Sequence, residues 1–245
     1  MSTVSTQRVG RRAKGELARE RLKNAAIAVL DRAGYHQLRI KDVTAEAGVA
    51  AGLFHHYYSD LRSLVEEILE EHIAKAEATE VIERDVSKGD WFNRLRSHYR
   101  FAVRNHAEHP GIMRCIHQFC ADDPDFRKRW NASYYKRLEL LVDVFPFVFP
   151  DSELSADEAR LIVYGLSGIG QDLLREYYIE RDSPLLALQL SEEELAEWLA
   201  VLQYRSLFAC NPPKEQLRYA SRILTIKRHS SSPEHSDQAC KGDLA

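Results

Sequence analysis

The sequence predicts an all-α protein. Three observations carry that expectation: apolar residues recur at helical spacing through most of the chain, no run alternates apolar and polar residues as a half-buried strand does, and glycine and proline are sparse, at 11 and 8 in 245 residues. At 28.2 kDa the chain can form one large domain or two modest ones around a proper core. Its hydrophobic fraction of 44% and charged fraction of 29% exclude collagen-like, mucin-like and wholly disordered classes. No apolar run reaches the roughly 20 residues of a membrane helix, so no membrane partner is expected. The opening residues, MSTVSTQRVGRRAKGE, lead into no apolar signal core, so no export is expected either. Cys115, Cys120, Cys210 and Cys240 are too few and too scattered for a disulfide framework, which points to a reducing cytoplasm.

In chain order, Leu22, Ala26, Val29, Leu30 and Ala33 recur at helical spacing, and Gly34 is a natural stop for that helix. A short helix over about 40–47 ends at Gly48, and a second runs over about 51–58. Asp60 caps a long helix whose Leu64, Ile68 and Leu69 repeat an apolar face; it is expected to reach about Arg84 before Lys88-Gly89-Asp90 breaks it. Helices are expected at about 91–107 and 111–120. Asp123-Pro124 opens another that should end before Pro146. Ser155 with Glu158, and Ser191 with Glu194, match the reciprocal capping box, placing helices at about 156–180 and 192–209. A last helix is expected at about 214–227, past Pro212-Pro213. Residues 229–245 lack apolar periodicity and are expected to be disordered.

Charge is unevenly spread. Residues 1–64 hold eleven Lys/Arg against six Asp/Glu, a net +5, while the remainder nets −8. A basic front end on an acidic body suits a polyanion-binding head. Within that head, two short helices meet at Ala47-Gly48-Val49. A helix-turn-helix needs a small residue where its helices touch, a residue that tolerates the turn and an apolar plug, and these three supply the roles in order. Phe54 and Tyr58, one helical turn apart, can fix the second helix to the core, which leaves Ala51, Gly52, Leu53 and His55 outward. Small residues at the start of that helix allow close approach to base edges and phosphates.

Residues 19–65 resemble the DNA-binding head of the TetR family of bacterial transcriptional regulators. The resemblance rests on Ala25-Ala26 and Val29-Leu30, Gly34-Tyr35, Ile40-Lys41-Asp42-Val43, Ala47-Gly48-Val49, the run from Gly52 to Tyr58, and Leu64. It implies an N-terminal three-helix helix-turn-helix head joined by a long fourth helix to a C-terminal helical effector-binding and dimerisation domain. The corresponding division is a flexible basic arm at 1–15, the head at 16–76, the effector and dimerisation domain at 77–228 and the tail at 229–245. Arg39 to Tyr58 would form the helix-turn-helix, with Ala51–Tyr57 as recognition helix in the major groove. The implied DNA-contacting residues are Arg39, Lys41, Thr44, Ala50, Ala51, Gly52, Leu53, His55, His56, Tyr57 and Arg62. The chain departs from the family pattern at several of them. Ala50 stands where Ser usually opens the recognition helix, Leu53 replaces a frequent Thr, and His55 a phosphate-contacting Tyr. Leu61 takes the place of a Lys, with Arg62 beside it. Arg39 occupies a common Thr or Ser position, from which a guanidinium can reach phosphate. The basic stretch Arg8 to Lys14 adds attraction to phosphates or reaches the minor groove.

The later helices are compatible with a second domain that binds a small molecule and pairs two subunits. Candidate pocket residues are His72, Tyr99, Phe101, Val103, Ile112, Met113, Ile116, His117, Phe119, Phe145 and Tyr164, a lining suited to an apolar or amphipathic ligand. Leu166, Ile169, Leu173 and Tyr177, with Leu195, Trp198, Leu199 and Leu202, lie on two helices apolar on more than one face, as a symmetric four-helix dimer interface requires. The spacings of Cys115, His117 and Cys120, with His106 and His109 nearby, fit no standard zinc pattern, so no metal or cofactor is expected. Gly165, Gly168 and Gly170 sit mid-helix without a preceding strand, which favours close helix packing over a nucleotide loop. No nucleophile motif suggests an enzyme. The expected function is a cytoplasmic, homodimeric regulator, a repressor released from a palindromic operator by an effector that tilts the fourth helix. Two other classes stay open: a DNA-binding factor of the same fold without an effector, and a helical enzyme, whose sign would be converging ionisable groups in a pocket.

Overall fold

The structure is a computed structural model that describes residues 3–78, 86–181 and 184–226, with side chains described from residue 15 to 75 in the first of these stretches. The expected tail at 229–245, and the end of the fourth helix toward Arg84, lie outside the described residues. Nine α-helices occur among those that are described: α1 Thr3–Ala33, α2 Ile40–Ala47, α3 Ala51–Tyr57, α4 Leu61–Ala78, α5 Trp91–Glu108, α6 Pro110–Asp122, α7 Pro124–Val148, α8 Ala156–Arg175 and α9 Glu192–Phe208. The all-α expectation holds, and α1 is helical through the stretch read as a basic arm. None of the described helices is long and apolar enough to cross a membrane.

The chain divides into two compact units. One comprises Met1–Ala78 with His109–Tyr134, and the other Thr79–Glu108 with Tyr135–Ala245. In the first, α1 is the central element and packs on α2, α4 and α6. Its Leu22, Ala26 and Leu30 are fully buried, as are Val43 of α2, Phe54 of α3 and Leu64, Val65 and Leu69 of α4. Gly34 stops α1 at φ 72°, and its amide donates to the Leu30 carbonyl at 2.9 Å. Asp60 caps α4 through the Ser63 amide at 2.8 Å.

The second helix pair of this unit, α1 and α6, touches backbone to backbone. The Gly111 amide donates to Asp31 Oδ1 at 2.8 Å, and a Cβ at Gly111 would lie 2.5 Å from the Asp31 main-chain nitrogen. Asp123 caps α7 by accepting from the amides of Asp125 (2.9 Å) and Phe126 (3.0 Å), and also takes the Arg62 guanidinium. These bonds hold the Asp123 carboxyl below its ordinary range, the Phe126 amide foremost.

In the second unit α5 lies against α9. Phe92, Tyr99 and Val103 pack with Leu195, Ala196, Leu199, Ala200 and Val201, and with Leu174, Ala220 and Ile223. Both capping boxes form as read: the Ser155 and Ser191 hydroxyls each accept from the amide three residues on, and Glu158 and Glu194 return the bond. Of the three glycines in α8, only Gly170 meets a neighbour closely. A Cβ there would fall 2.7 Å from the Tyr99 hydroxyl, whereas Gly165 and Gly168 face open space.

Three boundaries differ from expectation. Helix α7 runs through Pro146 to Val148. Proline forfeits one amide donor and crowds the carbonyl a turn behind it, but less than one turn follows here, and the Phe149 amide rejoins the ladder at the Phe145 carbonyl, 2.9 Å away. The helix from 156 changes to a wider π turn over Glu176–Glu180. The helix expected at 214–227 is absent: short 3-10 turns stand at Lys214–Gln216 and Ser221–Thr225. Glu197, only 1% exposed, is the reason. Its Oε1 accepts from the amides of Arg218 (2.9 Å), Tyr219 (2.6 Å) and Ala220 (2.8 Å). In a helix over 214–227 these three amides would donate to the carbonyls of residues 214–216; bonded to Glu197 instead, they leave that ladder unmade.

Candidate nucleic-acid interface

The turn between α2 and α3 follows from its residues. Ala47 is buried at the helix contact, Gly48 adopts the left-handed conformation (φ 62°, ψ 41°), and the Val49 amide donates to the Thr44 carbonyl at 3.0 Å. Beyond it, α3 buries Phe54 and is closed by the buried Tyr58. Ala51, Gly52, His55 and His56 are exposed, and Leu53 and Tyr57 are half-buried. A Cβ at Gly52 would meet nothing within 4 Å, so the fold itself does not demand a glycine there. Ala50 occupies the N-cap position with extended backbone and no side-chain bond. The first turn of α3 is therefore uncapped and almost bare of side chain, a shape that admits close approach of another surface.

Two exposed cations stand at the start of α2. Arg39 is exposed and its Nη1 donates to the carbonyls of His36 and Leu38, both at 2.9 Å; Lys41 is exposed as well. Thr44 is different: it is buried, and its hydroxyl donates to the Ile40 carbonyl at 3.0 Å, so it stands off the exposed face. Arg62 points toward acids of its own unit. It bonds Glu66 at 2.9 Å and Asp123, and its guanidinium lies over the Phe119 ring.

Several polar contacts of the head have no counterpart in the sequence-based expectation. Lys23 is buried, with Glu20 at 2.5 Å, Glu71 at 2.7 Å and Glu67 at 3.6 Å. Burial disfavours its charge, but the bonds to Glu20 and Glu71 outweigh that and hold the ammonium above the ordinary lysine range. Arg19 bonds Glu67 and donates from Nε to the Tyr58 hydroxyl at 3.3 Å, and that hydroxyl donates to Glu67 Oε1 at 3.4 Å. Burial, opposed by Arg19, pushes the Tyr58 hydroxyl pKa up. Arg21 donates from Nη2 to the Ala47 carbonyl at 2.6 Å and reaches that of Gly48 at 3.4 Å. The available signal was two four-residue spacings, Arg19 with Lys23 and Glu67 with Glu71, which place complementary charges on two helix faces. Among the described residues of the head, several cations are engaged with acceptors of the protein itself. Arg19, Arg21, Lys23, Arg32 and Arg62 all bond protein acceptors, Arg32 through Glu46 at 2.7 Å.

The expected effector residues fall in both units. In the first, His72, Ile112, Met113, Ile116 and Phe119 are buried and His117 is exposed; in the second, Tyr99, Val103 and Phe145 are buried, Phe101 and Tyr164 half-buried. Tyr164 donates to Glu139 Oε1 at 2.7 Å and stacks on Tyr135. An open cleft among the described residues of the first unit is lined by Val29, Arg32, Ala33, Gln37, Asp42, Ala45 and Glu46, and by none of these candidates. Of the residues expected at a dimer interface, Ile169 and Leu202 are 55% and 44% exposed, and Leu166, Leu173, Tyr177 and Trp198 are half-buried. Leu195 and Leu199 lie in the core against α5. No cluster of three or more potential metal ligands occurs among the described residues.

Residues 22–68 match the family model described as bacterial regulatory proteins, tetR family. A 64-residue stretch, 26% of this chain, is 34% identical to the HTH-type transcriptional regulator BetI of Vibrio campbellii (strain ATCC BAA-1116). The corresponding protein of Vibrio parahaemolyticus serotype O3:K6 (strain RIMD 2210633) is 33% identical over the same length. In each case the match spans about a third, 32%, of the relative's length. Among solved structures, a TetR-like transcriptional regulator from Rhodococcus sp. RHA1 superposes with a TM-score of 0.58 at 16% identity, over 78% of this chain and 95% of that one. A transcriptional regulator from Aquifex aeolicus VF5 gives 0.53 at 16% identity, over 76% and 99%. At such identities the likeness is one of fold.

Proposed function

We propose that this chain, a member of the TetR family through its N-terminal head, is a DNA-binding transcriptional regulator that acts as a homodimeric repressor on a palindromic operator and lets go when a small apolar or amphipathic molecule binds its C-terminal unit. The observation that carries the reading is the exposed face of α3. Ala51, Gly52, His55 and His56 are exposed, as are Arg39 and Lys41 at the start of α2, while Phe54 and Tyr58 are buried. Two such faces about 34 Å apart on a symmetric dimer enter successive major grooves. Exposed Ile169 and Leu202 support pairing through α8 and α9. Effector and operator then select different conformations of one dimer, with reciprocal effects on each other's affinity.

The test is selection from a random-sequence duplex pool followed by footprinting of the enriched sequence, then titration with candidate hydrophobic metabolites. A protected palindrome whose affinity falls steeply with salt supports the reading. Failure to enrich any sequence refutes it. Equal operator affinity with and without a saturating metabolite removes the effector mechanism for that compound.

A further inference from the structure

Arginines 19 and 21 sit in the basic head of a DNA-binding chain, yet both point at the protein. Arg21 spans from α1 to the turn that precedes α3, where Nη2 meets the Ala47 carbonyl at 2.6 Å and the Gly48 carbonyl at 3.4 Å. A Cβ on Gly48 would lie 3.2 Å from that nitrogen, so the guanidinium sits directly over the left-handed residue of the turn. Arg19 reaches the other end of α3. It bonds Glu67 of α4 and the hydroxyl of Tyr58, the residue that closes α3, and its guanidinium lies 5.7 Å from the centre of the Tyr58 ring. Lys23, one turn along α1, is buried within reach of the same Glu67 at 3.6 Å. At seven residues α3 is too short to hold its own orientation and has no side-chain cap at Ala50.

We infer that Arg19 and Arg21 are positioning residues that bracket the recognition helix: Arg21 holds the turn where α3 begins, and Arg19, through Glu67 and the Tyr58 hydroxyl, holds the point where it ends. Their charge serves the angle at which α3 is presented, and so the discrimination between sequences, while phosphate attraction comes from other cations. Arg21 makes charge-assisted hydrogen bonds to two main-chain carbonyls and Arg19 an exposed ion pair, contacts that add little to overall stability but whose geometry is exacting. The inference rests on the DNA-binding reading above.

The experiment compares the full chain with Arg21→Gln, Arg21→Lys, Arg19→Gln and Tyr58→Phe. Each is titrated with the duplex enriched by the wild-type chain and with a scrambled duplex of equal length and composition, over a series of salt concentrations. A bracket predicts that the ratio of specific to scrambled affinity falls about tenfold for Arg21→Gln and Arg19→Gln, equivalent to about 1.4 kcal/mol. Arg21→Lys keeps the charge but not the forked geometry, so it also lowers the ratio. Throughout, the slope of log affinity against log salt stays at the wild-type value. Equal losses on both duplexes, with the slope reduced by about one, would mean that the arginine contacts phosphate and would overturn the inference. An unchanged ratio overturns it as well. Should an arginine variant not fold, Tyr58→Phe, which removes one hydroxyl and keeps the ring, decides: a lowered ratio at wild-type thermal stability supports the bracket, an unchanged one refutes it. If the wild-type chain enriches no duplex, the functional reading itself fails, a result distinct from variants that keep the wild-type ratio.

Discussion

Replacing Gly111 with alanine probes the junction between α6 and α1. The added Cβ would lie 2.5 Å from the Asp31 nitrogen and Oδ1 and 2.6 Å from the Leu30 carbonyl carbon. Ordinary heavy-atom contact is about 3.5–4.0 Å, so α6 has to retreat by about 1 Å. The obstacles include main-chain atoms of α1, which no rotamer change can clear. The same retreat stretches the 2.8 Å bond from the Gly111 amide to Asp31 beyond hydrogen-bonding range. Overpacking costs about 1–3 kcal/mol and a lost bond to a charged acceptor about 1.5–3, against a gain of about 0.5–1 from replacing a helical glycine. The expected net loss is about 3 kcal/mol, or roughly 6–12 °C in thermal midpoint for a chain of this size. Far-UV circular dichroism during thermal and urea unfolding measures it, with Gly165→Ala as the control. Gly165 faces open space within its helix, so the same change there should be neutral or stabilise by up to about 1 kcal/mol. A Gly111→Ala protein as stable as the wild type would show that α6 does not lie against α1 as described.

Glu197→Ala leaves the amides of Arg218, Tyr219 and Ala220 without their acceptor, and each unsatisfied group costs about 1–3 kcal/mol. Hydrogen exchange at those three amides should accelerate, and protection equal to wild type would refute the anchoring role. Cys115 is pushed up to about 12 by burial, so it stays a thiol near neutrality and should resist iodoacetamide until the chain unfolds. The native state binds this proton more tightly than the unfolded one, so stability should fall as pH rises from the thiol's ordinary 9.0 toward 12, and a flat profile for wild type relative to Cys115→Ala contradicts this. Ser191→Ala removes the α9 capping box and should cost about 1 kcal/mol. The Glu194 carboxyl, held below its ordinary value by the Ser191 amide and hydroxyl, gives stability that is present at neutral pH and lost as pH falls through its lowered pKa; that acid-side loss should be smaller in Ser191→Ala.

Local rules were enough for the head. Gly34 and Gly48 adopt the positive-φ conformations that suit glycine at a helix stop, and Phe54 and Tyr58, four residues apart, share the side that is buried. The capping boxes were equally legible, because all four partners lie within one turn of chain. What escaped the sequence depends on partners far away in it. Nothing near residue 218 announces that a glutamate twenty-one residues earlier will gather its amides, so a helical pattern was read where loop and turns stand. Pro146 reads as a stop by local rules, whereas its effect depends on how much helix follows it. The engagement of Arg19, Arg21 and Lys23 with the protein itself was hidden for the same reason: a charge count records how many cations a segment has, and only packing decides which acceptors they meet. Thr44, placed at the DNA by resemblance, turns its hydroxyl back to its own helix.

The most direct measurement introduces a negative charge at Gly52. A Cβ there meets nothing within 4 Å, so Gly52→Glu should fold with a thermal midpoint near wild type. Placed against base edges and phosphates, the carboxylate should abolish binding to the enriched duplex, by a factor on the order of a hundred or more at moderate salt. A Gly52→Glu protein that binds that duplex as tightly as the wild type would mean that DNA meets some other part of the molecule.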